Sequence, residues 1–191
     1  MKEIENYIET YFGIGGKDLS PIANMFQQKI LSKNEYLFHA NHYASSMSFV
    51  KTGYLRVFAS IDNGEKEITQ WISNPGMFIT DLSSFIFNTP CRWNIQAITD
   101  CELYTISKDD YRSIGDHVTN WAELDYLFIA KCFITLENRV FDQLSLTAEQ
   151  KVRGLFEQNP DIFLNVPLQY IASMLGMTPE TLSRVRKKMT S

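Results

Sequence analysis

Hydrophobic and polar positions follow three successive rhythms along the chain. In the first 28 residues Ile4, Tyr7, Ile8 and Tyr11 recur at helical spacing, and a second short helix is expected after Ser20-Pro21. From about residue 28 to residue 106 the rhythm shortens. Runs of aromatic and β-branched residues at 36–38, 47–51, 54–60, 66–72, 94–98 and 102–106 each read as a strand. Turn formers punctuate them at Thr52-Gly53, Asp62-Asn63-Gly64 and Asn74-Pro75-Gly76. Asn63-Gly64 predicts a two-residue type I′ hairpin, which needs positive φ at both positions. Short strands with close turns predict an antiparallel roll of the jelly-roll kind. Between Gly76 and Trp93 the alternation breaks over MFITDLSSFIFNTPCR, an insertion of the size that usually carries function in a β domain.

Beyond residue 106 the helical rhythm returns. A short helix is expected near 109–114 and a long one over 120–144. In the long helix Ala122, Tyr126, Ile129, Phe133, Leu136 and Val140 step by 4, 3, 4, 3 and 4, a heptad seam suited to a twin helix. A helix packed only on its own domain shows a wider apolar face, and Trp121, Leu124, Leu127 and Phe128 do widen its first half. The expectation is that it does both, covering the roll on one side and pairing with a second copy through the seam. Residues 145–164 should form a helix that starts at Thr147-Ala-Glu-Gln and breaks at Asn159-Pro160.

Residues 166–189, VPLQYIASMLGMTPETLSRVRKKM, read as two short amphipathic helices about a tight turn. Pro167 suits a first helical position, and Ile171, Ala172 and Leu175 give one apolar face. Gly176 supplies the left-handed residue that ends a helix. Thr178 is a natural N-cap, Pro179 follows it, and Glu180 lies near the positive end of the helix dipole. Leu182, Val185 and Met189 would pack on the first helix, leaving Glu180, Thr181, Ser183, Arg184, Arg186, Lys187 and Lys188 on other faces. That is a helix–turn–helix with its second helix as DNA reader. A simple C-terminal hairpin with a basic last turn fits the same residues, but charge placement favours the reader. From residue 166 on, four basic residues stand against one acid, a net of +3, so the rest of a chain of net −4 carries −7. A positive patch on an acidic chain attracts phosphate without indiscriminate polyanion binding. Glu180 and Arg184 are also chemically matched to base edges, cytosine N4 and guanine O6/N7 respectively.

The remaining composition narrows the classes. At 191 residues and 45% hydrophobic content the chain suits one large or two small domains with real cores. No apolar run approaches the ~18 residues of a membrane span, and the mixed-charge N-terminus is no signal peptide. Cys91, Cys101 and Cys132, odd in number and far apart, fit a reducing cytoplasm. The glycines of GIGGKDLS suggest a phosphate loop, but Asp18 stands where Ser or Thr should hold magnesium, so a helix stop is expected.

With roll, long helix and helix–turn–helix in that order, the chain resembles the Crp/Fnr family of bacterial transcription regulators over nearly its whole length. PGMFITDLSSF, residues 75–85, is similar to the family's P-G-x-x-[IF]-G-E-[LI]-x-[LF]-F phosphate cassette, and TPETLSRVRK, residues 178–187, to its S-R-E-T-V-[SG]-R-x-[LI]-[KR] reader helix. The resemblance implies an α+β fold. An N-terminal antiparallel β-roll of the cyclic-nucleotide-binding kind would occupy residues 1–118, a dimerisation helix 119–144 and a helix–turn–helix domain 145–191. It implies base contacts by Glu180 and Arg184 and a phosphate contact by Thr181. Pro179 replaces a usual Arg, which points to a different operator. Gln169, Thr178, Ser183, Arg186, Lys187 and Lys188 complete the expected DNA surface. The chain ends soon after the reader helix, where many members add a wing or another helix, so weaker phosphate contact and greater reliance on the dimer are expected.

The expected effector site comprises Phe78, Thr80, Asp81, Leu82, Ser83, Cys91, Arg92 and Trp93, and it departs from the family. In cyclic-nucleotide binders the cassette ends in Arg-[ST]-Ala, the Arg gripping the cyclic phosphate and the Glu the ribose. Here Asp81 takes the Glu position, Cys91 the Arg position, Arg92 the Ser/Thr position and Trp93 the Ala position, while Thr80 replaces a Gly. Adjacent strand residues face opposite ways, so Arg92 would turn from the pocket unless the loop shifts by one residue. Ordinary cyclic AMP binding is not expected; an unknown ligand, bound between roll and long helix, or none, is. No cofactor is identified. No cysteine precedes Cys91, which excludes an N-terminal Cys₄ iron–sulfur cluster. His39, His42 and His117 lack a ligand set of workable spacing. No cupin-type metal set and no nucleophile–His arrangement is found, so no enzyme is expected. The expected partners are palindromic double-stranded DNA and a second copy, with RNA polymerase a further candidate and no membrane. The alternative is a ligand-binding module whose C-terminal hairpin docks a protein.

Overall fold

Apolar residues along one side of helix α1 (Lys2–Phe12) start the fold in a computed structural model that describes residues 2–189. Met1, Thr190 and Ser191, the outermost residues of the expected first and last domains, lie outside the described residues. Helix α2 (Leu19–Ala23) begins before Pro21 rather than after it. The strands are β1 (Gln27–Leu31), β2 (Tyr36–Phe38), β3 (Ser46–Thr52), β4 (Leu55–Ile61), β5 (Lys66–Ser73), β6 (Phe78–Ile79), β7 (Asn94–Ala97) and β8 (Cys101–Ser107), with α3 (Leu82–Phe87) between β6 and β7. They pair antiparallel in two four-stranded sheets, β1-β8-β3-β6 and β2-β7-β4-β5, the expected roll. The hairpin at Asn63-Gly64 differs from expectation. Ile61 pairs with Lys66, so four residues close it, and the left-handed positions are Asp62 (φ 53) and Gly64 (φ 95). Aspartate tolerates that region nearly as well as asparagine, and a longer loop replaces the type I′ turn.

The remaining helices are α4 (Lys108–His117), α5 (Trp121–Ser145), α6 (Ala148–Gln158), α7 (Ile162–Asn165), α8 (Leu168–Met174) and α9 (Pro179–Met189). Helix α6 starts on a full capping box, Thr147 with Gln150, as its sequence predicts. Pro167 stands just before α8, with an extended backbone, rather than inside its first turn. Among the described residues no helix is long and apolar enough to cross a membrane.

Two hydrophobic cores organise the chain. The first fills the roll and extends onto its outer side, where α1 and α5 cover the sheet containing β3. Residues 47–50 of β3 are therefore buried on both faces. Tyr7 stacks on Phe49 at 3.6 Å, and Phe78 meets Phe128 of α5 edge-on at 5.3 Å. Ser48, fully buried in this stack, shares a 2.8 Å hydrogen bond with Thr105. The second core joins α6 to α9 and reaches into the roll through Tyr54, Ile72 and Ile98.

Helix α5, about 37 Å long at 1.5 Å per residue, is anchored by buried Trp121 and Phe128. Its seam is otherwise open: Tyr126, Phe133, Leu136 and Val140 are 71, 60, 46 and 51% exposed. Ala122 is exposed as well, whereas Ile129 is half-buried against the first core. Ile134, Phe141 and Leu144 widen the exposed stripe.

Candidate nucleic-acid interface and effector cassette

The turn between α8 and α9 fixes the angle at which α9 leaves the body. Gly176 adopts φ 69, the left-handed conformation that closes α8. Thr178 then caps α9, its hydroxyl accepting from the Thr181 N–H at 3.2 Å. Leu182 and Val185 are buried in the second core, and Met189 packs beside them. This leaves Glu180, Ser183, Arg184, Lys187 and Lys188 exposed on the outer side of α9. Glu180, Ser183, Arg184 and Lys187 border a shallow groove with Leu168 and Pro179. Its own backbone N–H and the Thr178 hydroxyl hold the Glu180 carboxyl below its usual range.

Two of the expected DNA residues, Thr181 and Arg186, sit differently. Thr181 is half-buried, with its hydroxyl 3.3 Å from that of Thr178 in the cap. Arg186 is half-buried and lies over the Phe163 ring of α7 at 5.2 Å, inside its own domain. Gln169 is exposed on α8.

The cassette is a self-satisfied loop. Asp81, 3% exposed, caps α3 by accepting from the Ser84 N–H at 3.1 Å, and its other oxygen accepts from Arg92 and Trp93 N–H at 2.8 and 3.3 Å. The carboxylate thus brings Asp81, Arg92 and Trp93 together but spends its acceptors on backbone. Thr80 donates to the Ser46 carbonyl at 2.9 Å. Phe78 lies in the aromatic cluster under α5. Leu82 and Ser83 are exposed on α3. Cys91 points into the roll core, where burial pushes its thiol pKa up and keeps it neutral. Arg92 faces out, over Trp93 at 4.9 Å, and borders an open concavity with His39, His42 and Asn94. Arg92 and Cys91 thus face opposite ways, the guanidinium outward and the thiol into the core.

A third cluster, with no signal in the sequence, joins the C-terminal helices to the roll. Arg56 of β4, 2% exposed, is held between Phe58 and Tyr170 of α8 at 4.2 and 3.9 Å. Its Nε donates to Thr69 at 2.8 Å and an NH group to Glu67 at 2.5 Å. The Thr69 N–H on β5, the edge strand of its sheet, donates to Ser173 of α8 at 2.9 Å. Arg139 of α5 caps the neighbouring Gln70 carbonyl and stacks on Trp71 at 4.4 Å. Gln143 completes the join by donating to the Met174 carbonyl at 3.0 Å.

A β-roll joined through a long helix to a terminal helix–turn–helix defines a known class. Residues 28–117 match the cyclic nucleotide-binding domain family, which spans most of the strands, α3 and α4. No curated protein matches the chain in sequence. In structure it is similar to FixK2 from Bradyrhizobium japonicum, at 18% identity over 86% of this chain and 84% of that one, with a TM-score of 0.73. A regulator assigned to the Crp/Fnr family in Eubacterium rectale shares 18% identity over 97% and 88% of the two chains, with a TM-score of 0.70. The c-di-GMP-responsive global regulator CLP of Xanthomonas campestris shares 16% over 91% and 90%, with a TM-score of 0.64. Residues 28–117 are therefore similar to the cyclic nucleotide-binding domain family, and the fold over nearly the whole chain is that of the Crp/Fnr regulators.

Proposed function

We propose that two copies of this chain pair through α5 and read a two-fold symmetric DNA site with α9, as a transcription regulator of the Crp/Fnr type. In this reading residues 1–118 sense, 119–144 dimerise and 145–191 bind DNA, in the cytoplasm, where the three thiols stay reduced. The observation that carries it is the outer face of α9, where Glu180, Arg184, Lys187 and Lys188 are exposed on a helix whose other side is buried. Carboxylate and guanidinium one turn apart suit adjacent base edges, and the lysines suit phosphates. The exposed apolar stripe on α5 supports pairing, because a monomer rarely leaves so much of one helix uncovered. Pairing along α5 sets the two readers about 34 Å apart, one turn of DNA.

Ordinary cyclic AMP is not the effector in this reading. The cassette acid is satisfied by backbone, and the position that grips the cyclic phosphate holds a buried thiol. Selection of bound duplexes from a random pool by the full chain tests the proposal. Enrichment of an inverted repeat is the expected result, and recovery of unenriched sequence would reject it.

A further inference from the structure

A cavity of about 230 Å³ lies where β5, the C-terminal half of α5, α6 and α8 meet. It is separate from the Asp81 cassette and from the outer face of α9. Its wall is mostly apolar, with Trp71, Met77, Leu155 and Met174 among its residues. Two basic side chains, Arg139 and Lys151, and one acidic side chain, Asp142, border it. Lys151 is engaged by Gln143, its Nζ donating to the main-chain and side-chain oxygens at 2.9 and 2.8 Å. Arg139 is half-buried, gives one N–H to the Gln70 carbonyl, and has no ion-pair partner among the described residues. Burial lowers its pKa to about 10. A guanidinium carries five N–H donors, so most of its donor fork is left for a ligand.

Gly154 adds a second, independent observation. It sits in the middle of α6, where glycine weakens a helix. A Cβ there would meet nothing within 4 Å, and its φ is not positive, so neither packing nor backbone geometry calls for glycine. What the missing side chain leaves is open space at the cavity wall.

We propose that this cavity binds a small amphipathic carboxylate, its anion on Arg139 and its apolar body against Met77, Leu155 and Met174. At the ~30 Å³ one water occupies in the liquid, the cavity holds about eight water volumes, which suits a single-ring or short aliphatic acid. Because its walls come from the roll, α5 and the reader domain, an occupant braces the two domains and biases how α9 is held. The coupling deepens the DNA-reading proposal, but the binding does not depend on it.

Titration calorimetry of the full chain with phenylacetate, phenylacetamide and acetate tests the site. Phenylacetate is expected to bind saturably, with the amide and acetate at least ten-fold weaker. Gly154→Leu fills the cavity and should abolish binding, Gly154→Ala should retain it, and Arg139→Gln should reduce phenylacetate to the level of the amide. Circular dichroism verifies that each variant is folded; should Gly154→Leu fail to fold, Arg139→Gln decides. Equal binding of acid and amide, binding that survives Gly154→Leu, or no saturable heat overturns the proposal. Absent heat in a preparation that still selects a palindrome sinks this site alone, whereas lost selection with the heat intact sinks only DNA reading.

Discussion

Arg184 and Lys188 stand one turn apart on the same face of α9, yet their removal should have different consequences. Arg184→Ala should cost about 1–3 kcal/mol on the selected duplex and relax one base position, whereas Lys188→Ala should weaken every sequence alike and flatten the salt slope by about one unit. Anisotropy titrations at several salt concentrations distinguish them, and equal losses on specific and random DNA for Arg184→Ala would count against base reading. Arg56 belongs to the domain join instead. Removing it leaves a gap between the Phe58 and Tyr170 rings and takes the guanidinium donor from Thr69 and Glu67, so Arg56→Ala should lower unfolding stability by about 2–4 kcal/mol, read by urea titration. Cys91 and Cys101 give a pH signature. Burial raises both thiols, so the folded chain holds protons that the unfolded chain releases as pH rises past the usual thiol range. Their contribution is full below that range and is lost above it, and Cys91→Ala with Cys101→Ala should flatten the alkaline limb of a pH–stability curve. The residues with local grammar, Gly176 and Thr178 at the turn, were legible in the sequence. Arg56 and Arg139 were not, because a lone cation in a strand or helix reads as a solvated surface residue until the element that covers it is known.

Among the elements, α5 makes the sharpest prediction. Phe133→Glu with Val140→Glu places charges in the exposed stripe without touching either core, and sedimentation should show a monomer where the parent chain is a dimer. A parent chain that sediments as a monomer at cellular concentration would remove the seam from the account. Helix α6 offers a smaller test at its start: Thr147→Ala should cost about 1 kcal/mol by losing the capping box. These helices could be read in advance because the heptad steps and the cap are local, periodic signals. Strands β3, β4, β5 and β8 were readable through their aromatic and β-branched runs. Strand β1 was not, since four of its five residues face solvent at a sheet edge and QQKIL carries no alternation. Strand β6 and helix α7 are too short to establish any period. The closing turn of β4–β5 misled for a different reason, because the sequence offers two residues able to go left-handed beside the glycine and the fold uses Asp62.

At the scale of the molecule, the C-terminal helices are clasped to the roll through the free edge of β5, with Ser173 and Arg139 capping its Thr69 and Gln70 backbone groups. An exposed edge strand is a hazard, and the clasp protects it. The order of roll, long helix and terminal helix–turn–helix was evident from the chain. The clasp and the cavity behind it were not, since both arise from residues about 70 to 100 positions apart that no periodicity links. The central claim is geometric: two identical readers held one DNA turn apart by paired α5 helices. The most direct test takes the selected inverted repeat and changes only the spacing of its half-sites, measuring affinity and the number of chains bound. Insertion of about 5 base pairs should reduce two-chain binding to that of a lone half-site by rotating one half-site to the opposite side of the duplex. Affinity indifferent to that spacing, or a single chain on the intact repeat, would contradict the account.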